Sequence, residues 1–425
     1  LDKLKTWIER NLCKLNNVEK MDDPHGFTRL GFTKEEAKSH HQFLAIAKEL
    51  ELKTYRDQAG NHWAVWEVDK DAPTIAMGSH LDTVYNGGGY DGVAGVLCAL
   101  ATIKMLKDKH FQPQKNMAVI CFVSEESARF GVSTIGSKAV SGELDFKELI
   151  GVTDKNGITV KQAVEDMGVH WEELEQATLP SHELEQFLEV HIEQGDKLQE
   201  SNAQIGVVTG IARPTRLIVT THGTSNHTGT TPMHKRNDAL VAIAPLISYV
   251  QEATLKINQQ EDPHLVATVS TVNAKPNAMT SIPGEVQIGI DIRSINDGAK
   301  QKLVEKITNY CRQIEEQNSV HVQIQTLVDN KPVKLDQTIH NKLFRASHHL
   351  SFKTESMVSG AGHDAMNMAT RWPTGLVFIP CRDGISHQPQ EYTEVQNMVN
   401  ATMVLSEYLQ SEALHYSNSN LNREE

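Results

Sequence analysis

Three short runs in this chain are mostly apolar, TIAMGS from Thr74, NMAVICFVS from Asn116 and QFLEVHI from Gln186, and a fourth apolar strand, GLVFIP, starts at Gly375. A strand with one wet face alternates apolar and polar residues, whereas an unbroken apolar run fits a strand covered on both faces. GVAGVLCALATIKMLKDK, between the first two runs, reads as a helix. Strands joined through a helix run parallel, since an antiparallel neighbour needs only a tight turn. The chain is thereby constrained to an α/β fold with a mostly parallel sheet. A further helix, GFTKEEAKSHHQFLAIAKEL, carries Thr33 as its N-terminal cap and Glu36 three residues on. Residues 142–188 form a polar, helix-prone excursion.

From Arg216 the rhythm changes. RLIVTTHG is a strand, NDALVAIAPLISYVQEATLKI a helix, HLVATVSTVNA and EVQIGIDIRS two strands, AKQKLVEKITNYCRQIEEQ a helix and VHVQIQTLV a strand. That order, β-α-β-β-α-β, is a ferredoxin-like α+β unit. In EVQIGIDIRS, Val286, Ile288, Ile290 and Ile292 share one face, with Asp291 and Arg293 on the other. Helices then cover one side of this sheet and leave the other open. After Val328 the α/β pattern resumes, so the small unit is inserted into a larger one. A chain of 425 residues exceeds what one core supports. The expected domains are 1–212 with 329–425, and 213–328, with hinges near 210–214 and 328–332. The tail SNSNLNREE is polar and expected to fray.

A net charge of −13 provides no positive field for a phosphate backbone, so nucleic acid is not the expected partner. Five scattered cysteines without a CxxC pair argue against disulfide scaffolding and thiolate metal sites, and fit a reducing cytoplasm. The start, LDKLKTWIERNLCKLNNVEK, is an amphipathic helix pattern and not a signal peptide. The apolar runs fall short of a bilayer span, so no membrane is expected.

Metal-type side chains gather where the apolar runs stop. MGSHLDTVYNGGGYDG places His80 and Asp82 at the end of the first, with Asp91 opening the helix that follows. VICFVSEE ends in Glu125 and Glu126, FLEVHIEQG carries His191, and GISHQP carries His387. Each alone has an ordinary explanation: a capping acid, a solvated acid pair, a buried neutral histidine, a loop histidine. Together they stand at the carboxyl ends of strands in one sheet, where such folds place their sites. His80, Asp91, Glu126, His191 and His387 supply three imidazoles and two carboxylates. With Asp91 bridging, each of two divalent ions receives a mixed donor set, a hydrolytic arrangement. Glu125, left over, is the natural general base. If the strand continues through His80, Asp82 lies on the same side and can orient the imidazole.

These motifs, with SEESARFG, VHIEQG, IGVVTGIA, SNHTGTTPMHKRNDAL, PNAMTSIPG, DIRS, SGAGHDAMNMA and GISHQPQEYT, carry a resemblance over nearly the whole chain. The chain resembles the M20 metallopeptidase superfamily, and within it the carbamoylase branch: N-carbamoyl-L-amino acid amidohydrolases, β-ureidopropionases and allantoate amidohydrolases. The resemblance implies metal ligands at His80, Asp91, Glu126, His191 and His387, Asp82 as orienting residue and Glu125 as base. Histidine at 191, where peptidases of the superfamily usually carry a carboxylate, favours the carbamoylase branch. It also implies a catalytic domain with an inserted lid and dimerisation domain, a homodimer in which His227 reaches the partner's site to stabilise an oxyanion, and Gln194, Arg216, Asn277 and Arg293 as substrate-binding residues. The implied substrate is a small ureido acid, first an N-carbamoyl-L-amino acid and alternatively allantoate. A superfamily aminopeptidase or dipeptidase is the further alternative. Two divalent ions are implied; zinc is placed first, while manganese, cobalt and nickel suit the same donors.

GGGYDG lacks the GK[ST] ending of a phosphate loop. His363 and Asp364 in GAGHDA are a tempting ligand pair, read here as shaping the site only. Ser127 and Ala128 stand where many relatives read Gly-Ser, and Thr280 where asparagine is common. None of these is a proposed ligand, but all bear on substrate choice.

Overall fold

The computed structural model describes residues 1–22, 26–261 and 264–414; the polar tail lies outside them. In chain order, β1 (Lys53–Arg56), β2 (His62–Trp66), β3 (Thr74–His80), β4 (Asn116–Phe122), β5 (Gln186–Ile192) and β6 (Ile205–Ile211) come first. Next come β7 (Arg213–His222), β8 (Val266–Lys275), β9 (Glu285–Ser294) and β10 (His321–Asp329). Last are β11 (Val333–Lys334), β12 (Thr354–Ser359) and β13 (Thr374–Ile379). The chain divides into two compact units, Leu1–Thr209 with Leu335–Met357 and His363–Glu425, and Gly210–Lys334 with Val358–Gly362.

In the larger unit the strand order is β1-β2-β4-β3-β5-β13-β6, with β12 also against β6. β3 pairs parallel with β4 and β5, and β13 parallel with β5. β2 and β6 attach antiparallel to β4 and β13, and β1 pairs antiparallel with β2. The four apolar runs of the sequence are the parallel centre. On one flank β1 and β2 are short, β1 exposed and β2 half-buried, which is why no continuous apolar run announces them, whereas β6 on the other is as long and nearly as buried as the centre. Helix Val93–Asp108 is apolar almost all round because it is buried almost all round. It packs on β3 and β5 and against helices Asp2–Asn16 and Val395–Glu412. Helix Lys34–Glu49 opens as its capping residues predict: Thr33 Oγ1 accepts the Glu36 N–H, and Glu36 accepts the Phe32 N–H at 2.6 Å.

The smaller unit is an antiparallel sheet in the order β10-β7-β9-β8, with helices Ala239–Glu261 and Asp297–Asn318 completing β-α-β-β-α-β. Val286, Ile288, Ile290 and Ile292 are buried under the helices, while Asp291 and Arg293 occupy the opposite face. Among the described residues helix Ala239–Glu261 is, by length and composition, long and apolar enough to cross a membrane. Its apolar residues run unbroken from Ala239 to Ala244 and then thin out toward the C-terminus. Ala242, Ile243, Leu246, Val250, Ala253 and Ile257 form the stripe packed into the small unit's core.

Candidate metal centre

His80 is the last residue of β3, and His191 the next-to-last of β5. Glu125 and Glu126 follow β4 across Val123 and Ser124, and His387 lies beyond β13. Parallel register puts these ends on one edge: His80 lies opposite Phe122, and His191 opposite Phe378. Since β3 stops at His80, strand alternation does not place Asp82; the following turn does. Its Oδ1 still lies 3.3 Å from His80 Nδ1. Asp82 also accepts the Glu125 and Glu126 N–H groups at 3.0 and 2.9 Å, so one buried carboxylate fixes both acids against the end of β3.

Asp91 sits at the middle. Its Oδ1 lies 2.9 Å from His191 Nε2 and 3.6 Å from His80 Nε2, and its Oδ2 lies 3.1 Å from His387 Nε2. Glu126 Oε1 is 3.4 Å from the same His387 nitrogen. Two donor groups result, His80–Asp91–His191 and Asp91–Glu126–His387, each with its ligand atoms within 4.8 Å of one another. Glu125 Oε2 is 3.8 Å from His80 Nε2. Gln194, in a left-handed conformation with φ 57°, donates to Asp91 Oδ2 at 2.9 Å. The centre therefore gathers Asp82, Glu125 and Gln194 beside the five proposed ligands.

The hydrogen bonds behind the ligands test whether a cation fits. His191 Nδ1 is 2.9 Å from the Ile192 carbonyl, and His80 Nδ1 3.1 Å from the Asp82 carbonyl. A carbonyl only accepts, so both Nδ1 atoms carry hydrogen, and in the neutral ring both Nε2 lone pairs face the Asp91 carboxylate. Lone pairs aimed at a buried anion need a proton or a metal between them. The acids repeat the point. Burial, with Asp91 as the nearest like charge, raises Glu126 to about 8. Burial likewise pushes Glu125 well above the carboxylate range, with Glu126 and Asp364 adding to it. Burial would lower His80, but Glu125, Asp82 and Asp91 outweigh it and hold it well above the ordinary imidazole value. An all-oxygen and imidazole donor set with excess buried negative charge suits a pair of divalent ions.

The other predicted substrate residues belong to the smaller unit. Asp291 grips two of them: its Oδ1 takes Arg216 Nε at 2.7 Å and its Oδ2 takes Arg293 Nε at 2.8 Å. Arg293 Nη1 also donates to the Gly360 carbonyl at 3.0 Å. Asn277 is exposed in the β8–β9 connection with φ 54°. His227 is exposed in a turn bridged to Ser281, and its Nδ1 accepts the Gly229 N–H at 3.0 Å.

Of three buried acids around the centre, Glu189 and Glu391 escaped the sequence reading, and Glu36 was legible there only as part of a helix cap. Glu189 accepts the Ser79 hydroxyl at 2.7 Å and the Ala365 N–H at 2.8 Å, anchoring the residue before His80 and the helix after His363. Glu36 accepts the Ser124 N–H at 2.8 Å. Glu391 binds the segments of Asp91 and His387. Glu189 did leave a signal, a charge inside the apolar run QFLEVHI; Glu391 sits in polar surroundings that hide it. The His363 ring lies against that of His191, tilted 55° to it with centres 4.3 Å apart, and Asp364 accepts the Ser137 hydroxyl at 2.5 Å.

The family model described as peptidase family M20/M25/M40 matches residues 76–411. The chain is 35% identical over 399 residues to an N-carbamoyl-L-amino-acid amidohydrolase of Paenarthrobacter aurescens, across 94% of this chain and 95% of that one. To an allantoate amidohydrolase of Bacillus subtilis it is 33% identical over 388 residues, covering 90% and 92%. The crystal structure of a hydantoinase/carbamoylase family amidase from Burkholderia multivorans matches with a TM-score of 0.86 at 26% identity, covering 98% of each chain. The chain belongs to peptidase family M20/M25/M40.

Proposed function

We propose that this protein is a metal-dependent amidohydrolase that cleaves the carbamoyl C–N bond of N-carbamoyl-L-amino acids, releasing the amino acid, carbon dioxide and ammonia. The observation that carries this is Asp91, whose two oxygens each face a separate donor group, with Glu125 beside them. The relatives supply the ureido chemistry: their names are those of carbamoyl-amino-acid and allantoate hydrolases, enzymes of non-peptide C–N bonds. Two divalent ions, zinc first, held by His80, Asp91 and His191 and by Asp91, Glu126 and His387, would supply Lewis acidity that lowers the pKa of water and polarises the ureido carbonyl. Glu125 takes a proton from the attacking water at its carboxylate and returns it to the departing nitrogen. Asp82 holds the Glu125 backbone and the His80 ring while this happens. Arg293 offers its guanidinium fork to the substrate carboxylate, and Gln194 and Asn277 offer the amide donors and acceptors that a ureido group needs.

The smaller unit, 213–328, serves as lid and dimerisation domain on the catalytic domain of 1–212 and 329–425. His227 of a second copy donates to the oxyanion. The five free cysteines support the cytoplasm as its compartment. Arg216, held next to Arg293 by Asp291, favours allantoate as a second reading, since an extra ureido arm needs another donor.

Turnover of N-carbamoyl-L-methionine and of allantoate by zinc- or manganese-reconstituted protein tests both. Activity on the first supports our ordering; activity on allantoate alone reverses it; peptide cleavage without ureido activity removes both. Glu125→Gln should lower kcat about 10³-fold with metal content unchanged, and retained turnover would dismiss Glu125 as base.

A further inference from the structure

Glu391, in the motif HQPQEYT, is 3% exposed and plays no part in the chemistry above. Its Oε1 accepts the backbone N–H groups of Tyr90 and Asp91 at 3.0 and 2.9 Å. Its Oε2 accepts the Ser386 hydroxyl at 2.8 Å and the His387 N–H at 3.3 Å. One side chain thus ties the backbone of Asp91 to the backbone of His387, two proposed ligands far apart in sequence. Ser386 Oγ completes the link, lying 3.3 Å from Asp91 Oδ2.

Two further features belong to this arrangement. A Cβ on Gly88 would come 2.2 Å from Glu391 Oε1, so the glycine run of VYNGGGYDG passes where only glycine clears the carboxylate. His387 itself has φ 59°, the left-handed region that a non-glycine residue keeps only where neighbours over-determine it. Glu391 takes the N–H of that residue.

We propose that Glu391 is a positioning residue for the ion shared by Asp91, Glu126 and His387, holding the Asp91 and His387 ligand atoms at the separation that ion requires. The proposal rests on the two-ion reading. It also explains why the residue is a carboxylate. Four donors converge on two oxygens, and an amide of the same shape presents one oxygen and one NH2 group. Glutamine would therefore turn hydrogens toward either the Tyr90 and Asp91 pair or the Ser386 and His387 pair. Shape is kept, but either the Tyr90 and Asp91 N–H groups or the His387 N–H then faces a donor, and in the second case the Ser386 hydroxyl must turn from donor to acceptor.

The test titrates metal-free full-length protein with Co2+, following bound ions by equilibrium dialysis and ligand geometry by visible absorption. Wild type is expected to bind two Co2+ per chain. Glu391→Gln should retain the first with nearly unchanged affinity and bind the second about 10- to 100-fold more weakly, with altered absorption bands. Glu391→Asp, which keeps both acceptor oxygens, should retain more of the second site. Two ions bound by Glu391→Gln with wild-type affinity and spectrum, or equal weakening of both, would overturn the proposal. If circular dichroism shows Glu391→Gln to be unfolded, Ser386→Ala carries the test: it should weaken the second ion several-fold, and unchanged binding overturns the role. Wild type that binds no cobalt overturns the two-ion reading and this one together, whereas normal binding by Glu391→Gln overturns this one alone.

Discussion

Asp91 owes its place to its neighbour. Gly92 adopts φ 66°, and a Cβ there would stand 2.5 Å from the His80 ring. The turn that delivers Asp91 into the centre is therefore open only to a residue without a side chain. Gly92→Ala should destabilise the fold by about 1–3 kcal/mol and displace His80, lowering metal stoichiometry as well as the urea midpoint. An unchanged midpoint with full metal content would show that the turn relaxes without cost. The backbone staples work at the same scale. Asp82 and Glu391 each spend both oxygens on segments that carry proposed ligands, while Glu189 and Glu36 each spend one, on Ser79 beside His80 and on Ser124 beside Glu125.

At the scale of elements, helix Lys34–Glu49 and β2 meet through His40 and His62, whose Nδ1 atoms are 2.8 Å apart. One must donate and the other accept, so the pair cannot be doubly charged. Burial lowers His40 well below the imidazole range, and burial with Arg56 lowers His62 to about 4. The unfolded chain protonates histidine near 6.5. Above that pH the contribution is fully present; below it the unfolded state binds protons that the folded state refuses. Stability from His62 thus falls by about 1.4 kcal/mol per pH unit between roughly pH 6.5 and 4. Glu36, which burial raises to about 8, acts with the opposite sign, so the difference from a variant is the clean measure. Urea unfolding of wild type and His62→Leu from pH 7 to 4.5 should show wild type losing ground to the variant as pH falls. Parallel curves would reject the linkage.

For the whole molecule, the proposed exchange of His227 between copies has a distinctive consequence. Glu125→Gln and His227→Ala should each be nearly inactive, yet a mixed dimer pairs an intact Glu125 with an intact His227 at one of its two sites. Random re-association of equal amounts should restore about one quarter of wild-type activity. Sedimentation should give a dimer for all three preparations. No recovery in a mixture shown to contain mixed dimers would place His227 outside the partner's site.

The buried strands, the inserted β-α-β-β-α-β unit and the candidate ligands were legible because each is a local fact: unbroken apolar runs, a change of period, and titratable residues at the ends of those runs. The flank strands β1 and β2 were not, because short strands with exposed residues differ little from loops until a partner pairs with them. The roles of Glu189 and Glu391, and the reach of Glu36 to the Ser124 N–H, were decided only by tertiary structure. A carboxylate's work depends on which N–H groups stand around it, and for Glu391 those groups belong to Tyr90 and Asp91, which chain order alone gives no reason to bring beside it.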